Sequence, residues 1–229
     1  MSLESLEILK SSFGYDTFRP LQQDAISAVL AGKDTFVVMP TGGGKSICFQ
    51  VPALILPNLT VVISPLISLM QDQVETLKEN VIEAAFYNSS LSSDQKNKLI
   101  QQCLNGHLKL LYMAPETFLP ALDSWLDDVR ISLLAIDEAH CVSTWGHDFR
   151  PEYSQLGVAR LALPDVPCIA LTATADVVTR KDIIKQLHLQ TDQLFISSFD
   201  RPNLELIVKG NIKKKEKIKQ VLEFIEKQN

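Results

Sequence analysis

The chain has 229 residues, 46% of them hydrophobic, and a formal net charge of −5 at pH 7. This length and apolar fraction are enough for one large α/β domain with a substantial core. The acidic balance is not typical of a protein coated by nucleic acid. No apolar run approaches the roughly 18–20 residues that span a membrane, and the N-terminus lacks the shape of a signal peptide. We therefore expect an intracellular protein.

Apolar, strand-like runs alternate with amphipathic, helix-like stretches along most of the chain. The predicted strands cover residues 35–39, 60–63, 83–87, 109–113, 132–136, 167–171 and 194–197. The predicted helices cover residues 3–12, 20–31, 45–56, 66–79, 92–105, 116–128, 151–162 and 177–188. This alternation predicts an α/β fold with a doubly wound, mostly parallel sheet and helices on both faces.

A glycine-rich segment follows the first predicted strand and precedes a predicted helix. Its candidate phosphate-binding residues are Thr41, Gly42, Gly43, Gly44, Lys45 and Ser46. Glycines let backbone N–H groups approach an anion, and a helix N-terminus adds a partial positive charge. We therefore predict a nucleoside triphosphate site, in which Lys45 reaches the phosphates and Ser46 binds Mg²⁺. Met39 stands where the strict motif has glycine, and the alternative is a glycine-rich loop with a solvated lysine.

Two carboxylates, Asp137 and Glu138, directly follow the predicted strand at 132–136. In a parallel sheet this position lies at the same edge as the phosphate loop. Asp137 can share the Mg²⁺ with Ser46, and Glu138 can orient the attacking water, which makes Lys45, Asp137 and Glu138 the candidate catalytic residues. The alternative is a capped helix start. We discard a metal site at His140, because no second histidine stands at ligand spacing, and expect it to form hydrogen bonds near the cleft.

An aromatic-rich run occupies residues 141–153 and contains Gly146 and Pro151, which suggest a loop. Aromatic rings and arginine on a loop can stack on bases and hold phosphates. Alternatively, Trp145 and Phe149 are local core anchors four residues apart. The composition alone favours neither interpretation.

Taken in order, motifs across residues 11–204 resemble the first RecA-like domain of the RecQ family of DNA helicases. The segments that carry the resemblance are 13–22, 39–46, 64–73, 112–116, 137–140, 141–153, 170–175 and 199–203. The most specific is the stretch from Trp145 to Pro151, which comes soon after the Asp-Glu-Ala-His sequence of residues 137–140. Thr144 departs from the family, which commonly has glutamine at this position.

The resemblance implies ATP and Mg²⁺ as cofactors and assigns further site residues. It implies that Tyr15 and Arg19 sandwich the adenine and that Gln22 reads its edge. It also implies a set of residues that contact DNA or couple that contact to ATP hydrolysis: Ser64, Gln71, His140, Trp145, Phe149, Arg150, Thr172 and Thr174.

The resemblance also implies a domain division, with the first RecA-like domain at residues 1–200 and the start of a second at 201–229. We expect a strand at 204–209 and a charged helix at 212–228 there, and about 30 residues are too few for a domain core. We therefore expect a piece of a longer 3′–5′ DNA helicase of repair and recombination, with DNA and the second RecA-like domain as partners. The second domain supplies an arginine to the ATP site in this family. Without it, we expect this chain alone to hydrolyse ATP more slowly than the whole protein, by a factor on the order of 10³–10⁵.

Several alternatives stay open at this point. They are a DEAH-type RNA helicase domain, a non-catalytic module gated by ATP and, less favoured, a metabolite kinase. The compartment would be the cytoplasm in a bacterium and the nucleus in a eukaryote, with no membrane partner. Cys48, Cys103, Cys141 and Cys168 fit no zinc pattern and should be buried free thiols, and the lysines of residues 213–219 should form a solvated helix face.

Overall fold

The computed structural model describes residues 3–146, 148–190, 193–198 and 214–228. The chain divides into two compact units, Met1–Ser198 and Phe199–Asn229. The described part of the second unit is one helix, Lys214–Gln228. Lys217 and Lys219 are exposed on this helix, as expected for a solvated face. The predicted strand at 204–209 lies outside the described residues.

The first unit is built on a seven-stranded sheet with the order β3-β4-β2-β5-β6-β1-β7, and every described strand pair is parallel. The strands are β1 (Thr35–Val38), β2 (Leu59–Ile63), β3 (Ala84–Tyr87), β4 (Leu110–Met113), β5 (Ile131–Ile136), β6 (Cys168–Thr172) and β7 (Leu194–Ile196). This topology confirms the predicted parallel α/β fold.

Helices connect the strands and cover the sheet. They are α1 (Leu3–Phe13), α2 (Gln22–Leu30), α3 (Ile47–Ile55), α4 (Ile67–Glu79), α5 (Ser93–Leu104), α6 (Pro115–Leu122), α7 (Pro151–Ser154), α8 (Leu156–Ala162) and α9 (Val177–Gln186), with α10 as the helix of the second unit (Lys214–Gln228). A short 3₁₀ helix covers Ala139–Val142.

Two apolar layers enclose the sheet. Successive strand residues point to opposite faces, so Val61 and Ile63 join one buried cluster and Val62 joins the other. Strands β1, β2, β4 and β6 are buried along their whole length, which explains their continuous apolar runs. The helices on both faces therefore leave only the strand ends for chemistry.

Two predicted helices differ from the structure, one because it ends early and the other because it is divided. The helix predicted at 116–128 ends at Leu122, because the Leu126 N–H returns to the Ala121 carbonyl at 2.9 Å and places Leu126 in the core. The helix predicted at 151–162 is divided at Gln155, whose N–H bonds the Glu152 carbonyl at 3.3 Å in a tighter turn. In both places a hydrogen-bonded turn interrupts a continuous amphipathic pattern.

The cysteine prediction is confirmed, since all four cysteines are free and buried. Burial raises the pKa of Cys48, Cys103 and Cys141 to about 12, so these thiols stay protonated at neutral pH. Within the described part of the chain, none of the helices combines the length and the apolar character that crossing a bilayer requires.

Val81 is strained at the end of α4. Its φ of 59° lies in the left-handed region, which is costly for a β-branched residue, and its side chain is 89% exposed. We expect Val81→Gly to raise the free energy of unfolding by about 0.5–1 kcal/mol, because glycine adopts this conformation without the Cβ clash. Denaturant titration measures this. Val158→Gly, also at an exposed position but inside α8, should instead destabilise by about 1 kcal/mol, and equal effects would contradict the strain.

Candidate active site

The predicted motifs meet at one edge of the sheet. Strands β5, β6 and β1 are neighbours, and their carboxyl ends are in register. The Met39 N–H donates to the Thr172 carbonyl at 3.1 Å, and the Asp137 N–H donates to the Ile63 carbonyl at 2.9 Å. The phosphate loop therefore begins at the end of β1 and the acidic pair at the end of β5, with β6 between these two strands.

The phosphate loop needs its glycines. Gly42 and Gly44 have φ of 79° and 81°, in the region that favours glycine, and a Cβ on Gly43 would lie 2.8 Å from the Pro40 carbonyl oxygen. Lys45 Nζ donates to the Met39 carbonyl at 3.3 Å. The loop then leads into α3 at Ile47, so the N-terminus of that helix directly follows the phosphate loop.

Residues before and within α2 pack directly on this loop. Gln22 Nε2 donates to the Gly44 carbonyl at 2.9 Å, and the Arg19 guanidinium donates to the Gly42 carbonyl. The Arg19 N–H in turn donates to Gln22 Oε1 at 2.8 Å. Tyr15, which is 54% exposed, lines a small cavity with Arg19, Gln22 and Gly44. The structure thus brings the three predicted base-binding residues to the phosphate loop, and their contact with adenine stays a prediction.

The two acids of the pair differ in exposure, since Asp137 is buried and the Glu138 side chain is 26% exposed. Burial, followed by the charge of Glu138, raises the pKa of Asp137 from 3.8 to about 6, against the opposing effect of Lys45. The Glu138 N–H donates to Asp137 Oδ1 at 3.0 Å. Glu138 itself has a φ of 48°, a left-handed conformation that is rare for glutamate and typical of functional turns.

His140 links the acidic pair to the end of β6. Its Nδ1 lies 2.9 Å from Thr172 Oγ1 and 3.2 Å from a Glu138 carboxylate oxygen. Thr172 Oγ1 also donates to the Thr174 carbonyl at 3.1 Å. His140 and Thr172 are buried, so they can transmit a change between segments but cannot contact DNA directly in this conformation.

His140 belongs to a cluster of metal-ligand types that the sequence did not predict, because the prediction considered only a second histidine as its partner. Ligand atoms of His140, Cys141 and Asp148 lie within 4.8 Å of one another. However, Asp148 bonds Arg150 at 3.3 Å, His140 bonds Thr172, and the Cys141 thiol stays protonated at neutral pH. We interpret the cluster as a hydrogen-bonding group.

The aromatic run forms a loop that presents its rings to solvent. Trp145 is 71% exposed and Phe149 is 39% exposed, so the interpretation of these residues as core anchors is wrong. The anchor is Tyr153, which is fully buried and donates to the Asp137 carbonyl at 3.2 Å. Arg150 donates to the Pro65 carbonyl at 3.1 Å. The C-terminal part of the run is therefore tied both to Asp137 and to the 64–73 segment.

Ser64 and Gln71 differ in accessibility. Ser64 is fully buried, and its hydroxyl has no hydrogen-bond partner among the described residues, so a contact between Ser64 and DNA stays a prediction that this conformation does not explain. Gln71 is half-buried near the start of α4. Of the predicted DNA residues, the exposed ones are concentrated in the aromatic loop.

Sequence reasoning missed a set of hydrogen-bonded polar residues, in which Gln50 and Tyr112 are buried and Gln73 is half-buried. Tyr112 donates to Gln73 Oε1 at 3.0 Å and accepts from Gln50 Nε2 at 3.3 Å, and Gln73 slightly opposes the rise in the pKa of Asp137. Gln73 and Tyr112 lie inside the segments 64–73 and 112–116, which carry the family resemblance, but they were not among the predicted site residues. The available signal was a tyrosine hydroxyl within the otherwise apolar strand β4.

Comparison with known proteins places the chain in a family. Residues 19–183 match the DEAD/DEAH box helicase family. The chain is 48% identical over 215 residues to the ATP-dependent DNA helicase RecQ of Haemophilus influenzae, covering 93% of the chain and 35% of the relative. It is 44% identical to the ATP-dependent helicase SGS1 of Saccharomyces cerevisiae, covering 88% of the chain and 15% of that relative. The chain thus spans about a third or less of the length of these relatives.

Solved structures agree on the fold. The DUF1998 helicase MrfA bound to DNA aligns with a TM-score of 0.67 at 18% identity, covering 84% of this chain and 29% of that one. The Pyrococcus furiosus Hef helicase domain aligns with a TM-score of 0.59 at 18% identity, covering 81% of this chain and 39% of that one. The identity to the RecQ helicase of Haemophilus influenzae confirms the expected RecQ resemblance. The match over residues 19–183 shows that the chain belongs to the DEAD/DEAH box helicase family.

Proposed function

We propose that this chain is the ATP-binding motor domain of a RecQ-type DNA helicase. The observation that carries the proposal is the physical connection of the motifs. Tyr153 ties the exposed aromatic loop to Asp137, and Arg150 ties it to Pro65 in the 64–73 segment. The acidic pair and the phosphate loop follow β5 and β1, the two strands that flank β6. The relatives named ATP-dependent DNA helicases support ATP as the nucleotide and DNA as the polymer.

The residues present suit a divalent metal ion. Asp137 and Glu138 are two neighbouring acids, and a cation there would offset both causes that raise the pKa of Asp137, its burial first and the charge of Glu138 second. Ser46, at the start of α3, supplies a hydroxyl of the type that binds Mg²⁺ after a phosphate loop. We assign Ser46 and Asp137 to Mg²⁺, which when bound neutralises phosphate charge.

The remaining residues bind and orient the reactants. Residues 41–46 and Lys45 hold the phosphates, Tyr15, Arg19 and Gln22 hold the base, and Glu138 orients the water that attacks the γ-phosphate in line. In this proposal the first RecA-like domain is residues 1–200 and residues 201–229 begin the second domain, whose arginine completes the site. The whole protein would translocate 3′–5′ on DNA, in the bacterial cytoplasm or the eukaryotic nucleus.

Trp145 tests the proposed role in DNA. In the whole protein, Trp145→Ala should leave basal ATP hydrolysis intact and reduce its stimulation by single-stranded DNA, because the ring offers a stacking surface worth about 1–3 kcal/mol per base. ATPase assays with and without DNA measure this, and the same assay with single-stranded RNA separates DNA helicases from RNA helicases.

Leu161 provides the matched control for this experiment. It is an exposed apolar residue on α8, 62% accessible and outside the aromatic loop, so Leu161→Ala should keep full DNA stimulation. Unchanged DNA stimulation in Trp145→Ala would contradict the DNA role of the loop, and equal stimulation by RNA would favour the DEAH-type RNA helicase.

A further inference from the structure

Trp145 lies largely in solvent, so the position of its ring depends on its backbone. The side chain is 71% exposed, and we call residues 143–146, which carry it, the Trp145 turn. The Trp145 N–H donates to Ser143 Oγ at 3.2 Å, and the Gly146 N–H donates to the Ser143 carbonyl at 3.0 Å. Both of these hydrogen bonds therefore end on Ser143, a residue that is fully buried.

The Ser143 hydroxyl is fixed by a residue from a distant part of the chain. Its Oγ donates to Asp182 Oδ2 on α9 at 2.6 Å, a distance typical of a hydroxyl bound to a carboxylate anion. A hydroxyl has one proton and two lone pairs, and it rotates to suit its partners. Because the proton points at Asp182, a lone pair of the same oxygen accepts from the Trp145 N–H. Without that carboxylate, the hydroxyl can turn its proton elsewhere, and the acceptor for Trp145 is no longer fixed.

Asp182 lies on a helix that is itself held in place. Gln186 Nε2, one turn further along α9, donates to Asp182 Oδ1 at 3.4 Å. The helix is capped by Asp176, which accepts from the Thr179 N–H at 2.8 Å. Its first residue comes two positions after the segment 170–175. The Trp145 turn is therefore connected to a capped helix and not only to its own neighbours in sequence.

The other side of the Trp145 turn is closely packed. A Cβ on Gly146 would lie 2.5 Å from the His140 carbonyl oxygen, so the chain passes this carbonyl closer than other residue types permit. The Ser143 N–H donates to the same carbonyl at 3.2 Å. The backbone of the turn thus has little room to shift while the hydroxyl of Ser143 holds it.

A ring that is already held in place loses less freedom when a base stacks on it. Ordering a mobile side chain during binding typically costs an amount of free energy that corresponds to about 2–10-fold in affinity. An exposed tryptophan on a loose turn would lose this much affinity for a nucleic acid, although the stacking contact itself would be the same.

We propose that Ser143 and Asp182 are positioning residues that hold Trp145 where it stacks on a base of single-stranded DNA. The inference rests on the proposed function, because it takes Trp145 as a DNA contact. Neither positioning residue touches the DNA or the nucleotide, since Asp182 acts through Ser143 and Ser143 acts through the backbone of Trp145.

The first test measures the motion of the Trp145 ring and needs no DNA. In the 229-residue chain, Trp125→Phe leaves Trp145 as the only tryptophan, and phenylalanine keeps an aromatic ring beside Tyr87. In this background we expect Ser143→Ala and Asp182→Ala to lower the fluorescence anisotropy of Trp145, because the ring gains nanosecond motion. Asp182→Asn keeps an oxygen that accepts from the Ser143 hydroxyl, so it should lower the anisotropy less.

The second test measures DNA-stimulated ATP hydrolysis by the whole protein. We expect Ser143→Ala and Asp182→Ala to raise the concentration of single-stranded DNA for half-maximal stimulation by about 2–10-fold, with the KM for ATP unchanged. Ser124→Ala is the matched control, because it removes an exposed hydroxyl that donates to the Pro120 carbonyl at 2.7 Å, outside the Trp145 turn. It should leave both the anisotropy and the DNA midpoint unchanged.

Trp145→Ala separates failure of this inference from failure of the proposed function. If it reduces DNA stimulation, but Ser143→Ala and Asp182→Ala keep either the original anisotropy or the original DNA midpoint, the positioning proposal alone is wrong. If Trp145→Ala keeps full DNA stimulation, the DNA role of the loop is wrong and the positioning proposal fails with it. Loss of thermal stability with unchanged anisotropy would show a purely structural role for Ser143 and Asp182 and would overturn the proposal.

Discussion

Glu138→Gln is expected to lower ATP turnover of the whole protein by about 10²–10⁴-fold while nucleotide binding is retained. Glutamine keeps the size of the side chain, but it cannot accept the proton of the attacking water as a carboxylate does, and it replaces the carboxylate oxygen that lies 3.2 Å from His140 Nδ1. The backbone at this position, with a φ of 48°, aims the side chain away from the regular path of the strand. Steady-state ATPase assays give turnover, and a fluorescent ATP analogue gives affinity.

A matched variant separates loss of this carboxylate from loss of a negative charge in general. Glu75→Gln on the exposed side of α4 makes the same change away from the acidic pair and should have full turnover. Unaltered turnover in Glu138→Gln would contradict the catalytic role of Glu138, whereas negligible turnover already in the unsubstituted protein would favour the non-catalytic ATP-gated module. Loss of nucleotide binding would instead assign Glu138 to the binding site.

Asp34→Ala is expected to lower the free energy of unfolding by about 3–5 kcal/mol, because it leaves the buried Arg160 without its partner. Asp34 is 5% exposed and accepts from Arg160 Nη2 at 3.0 and 3.1 Å. It also accepts from the Cys168 N–H at 2.9 Å and the Gln190 N–H at 2.8 Å. One carboxylate therefore joins the beginnings of β1 and β6, the segment before β7, and α8. Denaturant or thermal unfolding measures the loss.

The exposed ion pair between Lys10 and Asp16 provides the control. It spans 3.7 Å, and its side chains are 51% and 93% exposed, so Asp16→Ala should change stability by about 0–1 kcal/mol. Replacing both Asp34 and Arg160 by apolar residues should recover part of the loss, since no unpaired charge is then buried. A similar small effect from Asp34→Ala and Asp16→Ala would contradict the proposed role of Asp34.

Most of the fold could be predicted from local pattern. Runs such as Leu59–Ile63 are continuously apolar because both faces of a central parallel strand are buried, and that property is visible in consecutive residues. The same pattern failed at Leu122 and at Gln155, where the helix ends depend on a turn and on a core contact made elsewhere. Amphipathic periodicity alone cannot report those contacts.

The phosphate loop and the acidic pair were also predictable, because their chemistry depends on short runs of consecutive residues and on the rule that parallel strand ends share an edge. The aromatic loop was predictable in composition only. Whether Trp145 or Tyr153 entered the core was decided by the path of the loop, which leaves the first ring in solvent and places the second beneath Asp137.

By itself, the sequence determined the fold class, the nucleotide loop and the acidic pair. The tertiary structure alone decided which side chains that are distant in sequence meet one another. Asp34 and Arg160 are 126 positions apart, and Tyr112 and Gln73 are 39 positions apart. A buried polar residue must find its hydrogen-bond partner in three dimensions, because desolvation makes an unpaired group costly, yet no local pattern states where that partner lies along the chain.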